Sequence, residues 1–397
     1  MIPITKALEI VERETKPLVT ESIDLAHSIG RVLAEAITAD MDLPPFDRSQ
    51  MDGYAVIAAD TVKAPVSLTV VGESAAGKGW RGRLKKGEAV WIMTGAPVPV
   101  GADAVQKVEL TSEKEEVVSI LEPVKKDTAI VRQGSEITRG TTILKAGEVV
   151  TENMIAVLAS FGYAKVRVGK NPRISILGTG SEIVEVTKKP GRYQIRNSNS
   201  IMLDVLSRKF GGETKVLPNV GDDIAQLKKV IRSASKTSDV LIITGGVSVG
   251  KYDHTKTALA DLGADIFFEK VRLKPGKPIV FARLNKTLIF GLPGNPVSAA
   301  VTFHIFVRGS ILKMQDAAST SLLSGRAVMG TDVKANRERD TYLPSRLETN
   351  KLGQLVAFPL KWQGSSDFVG YSRADSLIFL PKGSVRKKGE VGDIAYL

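Results

Sequence analysis

The residues of this sequence best suited to chemistry are glycines, lysines and carboxylates placed just after aliphatic runs. The fullest case is residues 239–256, DVLIITGGVSVGKYDHTK. Val240-Leu241-Ile242-Ile243 reads as a strand buried on both faces, the kind found in parallel sheets. It breaks into Gly245-Gly246-Val247-Ser248-Val249-Gly250, where glycine permits positive φ and lets a ligand approach the main chain. Lys251, Tyr252, Asp253, His254, Thr255 and Lys256 follow, and Thr255 or Asp253 could cap a helix running on through TALADLG. Strand, glycine loop, charged residues and helix N-terminus together hold a phosphate or another anion. A tight strand-to-helix turn that binds nothing has the same pattern.

Two more glycine loops follow strands: Gly178-Thr179-Gly180-Ser181-Glu182 and Gly291-Leu292-Pro293-Gly294-Asn295-Pro296-Val297-Ser298. None is a dinucleotide fingerprint, since the first lacks the third glycine. All three should emerge on one edge of a sheet. Beside them, Arg272-Leu273-Lys274-Pro275-Gly276-Lys277-Pro278 sets two lysines around a Pro-Gly turn. That turn could present two ammonium groups to one oxyanion; a solvated basic turn is the alternative. The carboxylates on this edge are Glu182, Asp222 and Asp253. Beside an anion site such groups hold Mg²⁺ against phosphate oxygens, or bind the edge of a base or pterin. Asp222 could equally cap a helix. A fourth glycine stretch, Gly72 to Gly79, misses the Walker pattern because Gly79 stands where Ser or Thr should hold Mg²⁺, and it reads as a β-loop.

The elements that must position these groups follow from periodicity. Residues 1–35 read as two helices, one capped by Thr5 and one after Ser22 with Leu25, Ile29 and Leu33 inward. LPPFDRSQMDGYAV is a polar connection with a turn at Asp52-Gly53, and 54–150 reads as short strands separated by Gly, Pro and Asp. Met154 to Phe161 is a helix stopped by Gly162. From 171 strands and helices alternate: strands at 174–177, 214–217, 240–243, 266–271, 279–282 and 288–290, and helices at 200–210 (capped by Ser198 or Asn199), 224–233 and 297–312. This predicts a doubly wound α/β domain with ligands at the carboxyl ends of its strands. Residues after about 320 return to short strands.

Composition narrows the chemistry. The chain has 397 residues, enough for several domains, with 43% apolar and 25% charged residues. It has no cysteine, which excludes disulfides, thiolate nucleophiles and cysteine metal sites. His27, His254 and His304 lie in separate segments, so a histidine zinc site is not expected. A hard cation held by carboxylate and phosphate, Mg²⁺ above all, is the expected metal. The net charge of +12 calls for anionic partners. Spread basic residues, 6% aromatics and the absence of a nucleic-acid-binding motif argue against specific nucleic-acid binding. No apolar run approaches the ~18 residues that span a bilayer. The opening MIPITKALEIVERETK lacks a signal peptide's apolar centre, so a cytoplasmic protein without membrane contact is expected.

PPFDRSQMDGYAV, MTGAPVPVGADAV, VRQGSEI, GTGSEI, TGGVSVGKYDHTK, KPGKP and GLPGNPVS occur in this order. Together they resemble the molybdopterin molybdenumtransferases, the MoeA family that includes the gephyrin E domain, over nearly the whole chain. The resemblance implies a multidomain α/β plus β protein. Residues 1–42 and 140–170 would form an elongated helical and linker domain, and 43–139 an inserted β domain. Residues 171–316 would form the α/β molybdopterin-binding domain and 317–397 a C-terminal β-barrel. It implies homodimers, with the active site between the α/β domain of one subunit and the first two domains of the other. The implied reaction inserts molybdate or tungstate into adenylated molybdopterin with Mg²⁺ and release of AMP.

By motif, the resemblance gives Asp253 and Glu182 to nucleotide and Mg²⁺, and Lys274, Lys277 and Ser298 to the oxyanion. Asp52, Thr94 and Glu136 would reach the site from the facing subunit, and Arg339 and Ser365 would complete the oxyanion site. Gly178, Thr179, Gly180, Ser181, Asp222, Gly245, Gly246, Ser248, Pro293 and Pro296 are the substrate-binding positions of the loops. Two positions depart from the pattern: Asn197-Ser198-Asn199 stands where Asp-Ser-Asn is usual, and Glu136 where Asp is commoner. Rival functions are a molybdopterin adenylyltransferase, which shares the α/β domain, and a non-enzymatic scaffold. The N-terminal motifs argue against the first and the acidic and lysine positions against the second. The adenylyltransferase is instead a candidate partner that delivers the adenylate.

Overall fold

The computed structural model describes residues 1–246, 254–361 and 364–397. The chain forms two compact units. One comprises Met1–Glu35, Ala146–Ile155 and Lys165–Leu397, the other Ala36–Lys145 and Ala156–Ala164.

The first unit contains a six-stranded sheet. Its strands are β1 (Arg173–Gly178), β2 (Glu213–Val216), β3 (Val240–Thr244), β4 (Asp265–Lys270), β5 (Pro278–Leu284) and β6 (Thr287–Leu292), in the order β2-β1-β3-β6-β5-β4. β2, β1, β3 and β6 run parallel, while β5 is antiparallel to both its neighbours, β6 and β4. All five residues of β3 and all six of β6 are buried, as a strand covered on both faces requires. Alternate residues of each strand serve opposite cores. Ile174, Ile176, Ile242 and Phe290 join one apolar cluster, and Leu177, Leu241, Ile243 and Ile289 the other.

Helix α1 (Ile4–Glu14), helix α3 (Ser198–Lys209) and the long helix α6 (Pro296–Met314) cover the first face. Helices α4 (Ile224–Ala234) and α5 (His254–Asp261) cover the second. Helix α2 (Glu152–Ser160) is shared by the two units. Each fully buried Leu, Ile or Phe contributes roughly 1.5–3 kcal/mol to holding the layers together. Helix α6 is long and apolar enough to cross a bilayer, but 83% of its most apolar window is buried in the protein. A π-type turn at Phe303–Val307 interrupts it.

The first unit also contains a closed barrel of β7 (Ser324–Met329), β8 (Asp340–Thr349), β9 (Leu355–Pro359), β10 (Ser376–Leu380) and β11 (Val391–Tyr396). It closes because β8 pairs with both β9 and β10. Ala327, Met329, Ala357, Ile378, Leu380 and Ile394 fill it. The second unit contains a six-stranded sheet, in spatial order Ala104–Lys107, Gly53–Val56, Glu88–Ile92, Val66–Ser74, Val117–Ile120 and Thr111–Lys114. The architecture is thus multidomain α/β plus β, as the sequence predicts.

Three local expectations are corrected. The segment after Ser22 is not a helix. Thr20–Asp24 is a strand antiparallel to Lys165–Gly169, followed by a 3₁₀ turn at Leu25–His27. Its apolar spacing fits a helix, but its backbone partner lies far along the chain and Gly30 turns at φ +77°. Helix α1 starts at Ile4 after Pro3, so Thr5 lies inside it rather than capping it. Helix α3 is capped by Asn197, not Ser198 or Asn199: the Ser200 N–H donates to Asn197 Oδ1 at 3.0 Å.

His304, in the π-type turn, is only 4% exposed and edge-on to Phe210 and Phe303. Burial, then the charges of Lys209 and Arg308, push its pKa down to about 4 from an ordinary 6.5. The unfolded chain therefore binds a proton that the native state refuses, and stability falls as pH drops from about 6.5 towards about 4. Urea melts should lose roughly 2 kcal/mol from this group between about pH 7 and pH 5. A His304→Gln variant should lack that increment; identical pH profiles for the two proteins would contradict it.

Candidate functional site

The three glycine loops leave the carboxyl ends of the parallel strands β1, β3 and β6, on one edge of the sheet. Strand order reverses between β1 and β3, the position where open α/β sheets leave a crevice. The loops are laced by main-chain bonds. Thr179 N–H donates to Thr244 C=O at 3.0 Å, Gly245 N–H to Leu292 C=O at 3.2 Å, and Gly180 N–H to Val220 C=O at 3.0 Å. Gly245 takes φ +94°, and a Cβ there would lie 2.4 Å from the Thr179 carbonyl oxygen, so only glycine fits. Asn199 adds a side-chain staple: its Nδ2 donates to Thr244 Oγ1 at 2.9 Å and to Gly294 C=O at 2.8 Å. Asn197 caps α3 with its oxygen and donates through Nδ2 to Asn219 Oδ1 at 2.7 Å. The amide at 197 therefore does work that a carboxylate could not do in full.

The acidic groups of this edge separate by role. Asp223, rather than Asp222, caps α4, accepting from the N–H groups of Ala225 and Gln226. Asp222 instead accepts from Ser181 Oγ at 2.6 Å. The Glu182 carboxylate folds over Gly180, where a Cβ would come within 2.3 Å of its Oε2. It has no hydrogen-bond or ion-pair partner among the described residues. Asp253 and Ser248, the other positions predicted here, lie outside the described residues. Asn199 Oδ1, Ser200 Oγ and Thr255 Oγ1 are buried and have no partner among the described residues. Such orphaned groups beside a ligand-approach glycine are what a bound polar molecule would satisfy. An unpaired Glu182 fits a hard cation of the Mg²⁺ type, which takes one or two carboxylates and completes its shell with phosphate and water. Among the described residues no group of three or more acidic or histidine side chains forms a ready-made cage.

Next to this edge lies a cavity of about 540 Å³ lined by Lys274, Lys277, Ser298, Arg339, Ser365, Asn295 and Pro293, together with the Pro275-Gly276 turn, Pro278 and Gly364. It brings together six of the predicted site residues from four segments. The reason is backbone pairing. Leu273–Lys274 forms a short parallel bridge with Asp340–Thr341 of β8, which sets Arg339 beside the lysine turn. Arg339 Nη1 also donates to Leu273 C=O at 3.4 Å. Ser365 is tied to the start of α6: Val297 N–H donates to its carbonyl at 3.1 Å and Asn295 Nδ2 to its Oγ at 2.8 Å. Ser298 sits in the first turn of α6, whose N-terminus favours an anion. Among the described residues no carboxylate lines the cavity, and Lys274, Lys277 and Arg339 make no ion pair. Three cations and two hydroxyls around one space suit a tetrahedral dianion.

Pro293 lines the cavity, and Pro296 is the first residue of α6, where its missing N–H is harmless. Sequence reasoning missed Asn295 and Asn199 as organisers. Both stand in quoted motifs, but their partners are remote in sequence and leave no local signal.

Asp52, Thr94 and Glu136 belong to the second unit. Asp52 Oδ1 accepts from Thr94 N–H at 2.6 Å and from Thr94 Oγ1 at 3.0 Å. Glu136 pairs with Arg48 at 3.3 Å. Asp42 and Asp47 hold the Glu136 loop in place. Asp42 accepts from the Arg139 N–H and from Gln133 Nε2, each at 2.8 Å, and Asp47 from the Gln133 N–H at 2.8 Å and from Arg132. Partial burial pushes the Asp47 carboxyl up, but the Gln133 N–H and the Arg132 guanidinium outweigh it and hold it below the usual carboxylate range. The Arg139 N–H, then the Gln133 amide, lower that of Asp42.

Three family models match the chain in series. They describe the MoeA N-terminal region (domain I and II) over residues 2–162, a probable molybdopterin binding domain over 175–313 and the MoeA C-terminal region (domain IV) over 326–396. A molybdopterin molybdenumtransferase of Bacillus subtilis (strain 168) is 35% identical over 391 residues, spanning 96% of this chain and 91% of that protein. One of Staphylococcus aureus (strain MSSA476) is 32% identical over 387 residues, spanning 96% and 92%. The crystal structure of a molybdopterin biosynthesis MoeA protein from Pyrococcus horikoshii OT3 superposes with a TM-score of 0.87 at 29% identity, covering 100% of each chain.

The cavity depends on Gly276, which turns at φ +111° and whose added Cβ would meet Thr302 Cγ2 at 2.4 Å. Gly276→Ala should cost about 1–3 kcal/mol in urea unfolding, as strained positions of this kind do. It should also weaken binding of sulfate, a tetrahedral dianion probe, by displacing the lysine turn. Wild-type stability together with wild-type sulfate affinity would contradict this reading of the turn.

Proposed function

Because the chain belongs to the MoeA family of molybdopterin molybdenumtransferases, transferases of molybdenum cofactor biosynthesis, we propose that it inserts molybdate or tungstate into adenylated molybdopterin and releases AMP. The observation that carries this reading is the cavity that gathers Lys274, Lys277 and Arg339 beside the glycine-loop edge of the sheet, with no carboxylate among its described lining residues. Molybdate and tungstate are tetrahedral dianions of nearly equal size, so the same cations accept either. Each ammonium or guanidinium bond to the oxyanion is charge-assisted. The hydroxyls of Ser298 and Ser365 supply directional contacts that fix its orientation.

The loops after β1, β3 and β6 hold the pterin nucleotide through backbone N–H groups, and the unpaired Asn199, Ser200 and Thr255 atoms meet its polar groups. Glu182, with Asp253, would hold Mg²⁺, which would supply a Lewis acid to the phosphates. Asp222 orients the Ser181 hydroxyl towards the substrate. In the reaction water adds to phosphorus as the phosphoanhydride bond breaks and AMP leaves, and the two dithiolene sulfurs replace one oxide of the oxyanion, which departs as water with the two thiol protons. The chain's share is largely electrostatic: preorganised cations and N–H groups neutralise charge that would otherwise keep oxyanion and phosphates apart. Asp52, Thr94 and Glu136 are assigned to the same reaction from a second copy of the chain, in a cytoplasmic homodimer. The adenylate comes from a molybdopterin adenylyltransferase.

The test is AMP release from adenylated molybdopterin with Mg²⁺, with and without molybdate or tungstate. Wild-type release should depend on the oxyanion. Lys274→Ala and Lys277→Ala should each weaken apparent oxyanion affinity about ten- to a hundredfold, the loss of one charge-assisted bond, and leave nucleotide binding nearly intact. Equal loss of nucleotide binding would assign the lysines to the phosphates. A folded wild type that binds the adenylate and releases no AMP would be a carrier.

A further inference from the structure

Between Glu182 and Asn197 the chain leaves the site edge, makes a closed excursion and returns. The base of this loop is sealed by the pairs Ile183 with Ile195 and Val184 with Arg196. It is sealed further by Ile195 N–H to Glu182 C=O and Asn197 N–H to Val184 C=O, each at 2.9 Å. The tip is also built. Arg196 Nε donates to the carbonyls of Val186 at 3.0 Å and Lys188 at 3.1 Å, and Gln194 Oε1 accepts from Gly191 N–H at 3.1 Å. Residues 183–196 carry Lys188, Lys189, Arg192 and Arg196 against one carboxylate, Glu185. Lys189 and Arg192 have no carboxylate partner among the described residues, and Lys188 meets Glu185 only loosely at 3.5 Å. Tyr193 is 81% exposed, with the Arg192 guanidinium 5.5 Å from its ring centroid.

An ordered loop that keeps an aromatic ring and three cations in water gains little for folding. Its burial is slight, and exposed ion pairs contribute little. Its two ends are residues of the nucleotide edge: Glu182 over Gly180 at one, and Asn197 capping α3 at the other. We infer that loop 183–196 is a capture arm for the nucleotide half of the substrate. Its cations draw in the phosphates, and the Arg192–Tyr193 pair offers a stacking face for a purine. The inference rests on the proposed reading that an adenylated substrate binds at this edge. Cations at the mouth of a crevice raise the local concentration of an anionic ligand and its association rate, and both effects weaken with salt. A base ring gains by stacking on an exposed aromatic.

The test compares AMP binding to the wild type, to a K188E/K189E/R192E variant and to Tyr193→Ala, at about 0.05 M and about 0.5 M salt. Sulfate binding at the lysine cavity serves as a control for folding. The charge-reversed variant should bind AMP about tenfold or more weakly at low salt, with the gap closing at high salt. Tyr193→Ala should lose severalfold at both salts, and sulfate affinity should not move. Equal AMP affinity of all three proteins at both salts would overturn the capture arm while leaving the proposed reaction standing. Normal use of free adenylated substrate by the charge-reversed variant, with loss only when an adenylyltransferase delivers it, would also overturn it and make the loop a protein-docking surface. A wild type that binds neither AMP nor adenylated molybdopterin would remove the reaction itself.

Discussion

Three cations share one cavity with no carboxylate among the described residues of its wall, and they must be held there against their own repulsion. At separations of ~8 Å, two like charges repel by roughly 2 kcal/mol in surroundings like those near a protein surface. Flexible side chains alone would relieve this by swinging apart. The backbone prevents it through three devices that meet at the cavity. The parallel bridge of Leu273–Lys274 with β8 brings Arg339 to the lysine turn. Gly276 makes a turn that leaves no room for a Cβ. The segment around Ser365 is bonded to Asn295 and to the first turn of α6. The repulsion would become useful on entry of a dianion, because the three cations are then already assembled and little reorganisation remains.

The sheet edge obeys a related economy. Gly245, Thr179 and Gly294 approach one another so closely that main-chain groups form the floor of the crevice. Side-chain amides then tie the loops together. Asn199 joins Thr244 to Gly294, and Asn197 joins the start of α3 to Asn219. An amide can donate and accept at once, whereas a carboxylate accepts only. That accounts for Asn197 at a position where the resemblance leads one to expect Asp: its nitrogen is spent on Asn219 and its oxygen on the helix N-terminus. The orphaned atoms of Asn199, Ser200 and Thr255 mark what the contacts among the described residues leave unsatisfied.

Much of this was legible in the sequence because the signals are local. Aliphatic runs ending in Gly-containing loops identified β1, β3 and β6, and their common edge followed from parallel pairing. Lys-Pro-Gly-Lys-Pro identified a turn with two ammonium groups. What failed or could not be read is non-local. The stretch after Ser22 has helical apolar spacing, yet it becomes a strand because Lys165–Gly169 offers it a backbone partner. Arg339 and Ser365 were reached only through the family resemblance, since nothing in their own neighbourhoods announces an anion site. Their convergence depends on a two-residue bridge and an amide-to-hydroxyl bond across 70 residues of sequence. The exchange of cap duty between Asp222 and Asp223 turns on one residue of register, finer than side-chain patterning resolves.

The central claim is that the lysine–arginine cavity is where the oxyanion sits. Anomalous diffraction from crystals soaked in molybdate tests it most directly, because molybdenum reports its own position. The account predicts one strong molybdenum peak within hydrogen-bonding reach of Lys274, Lys277, Ser298, Arg339 and Ser365. A molybdenum peak at the glycine-loop edge with this cavity empty would contradict it.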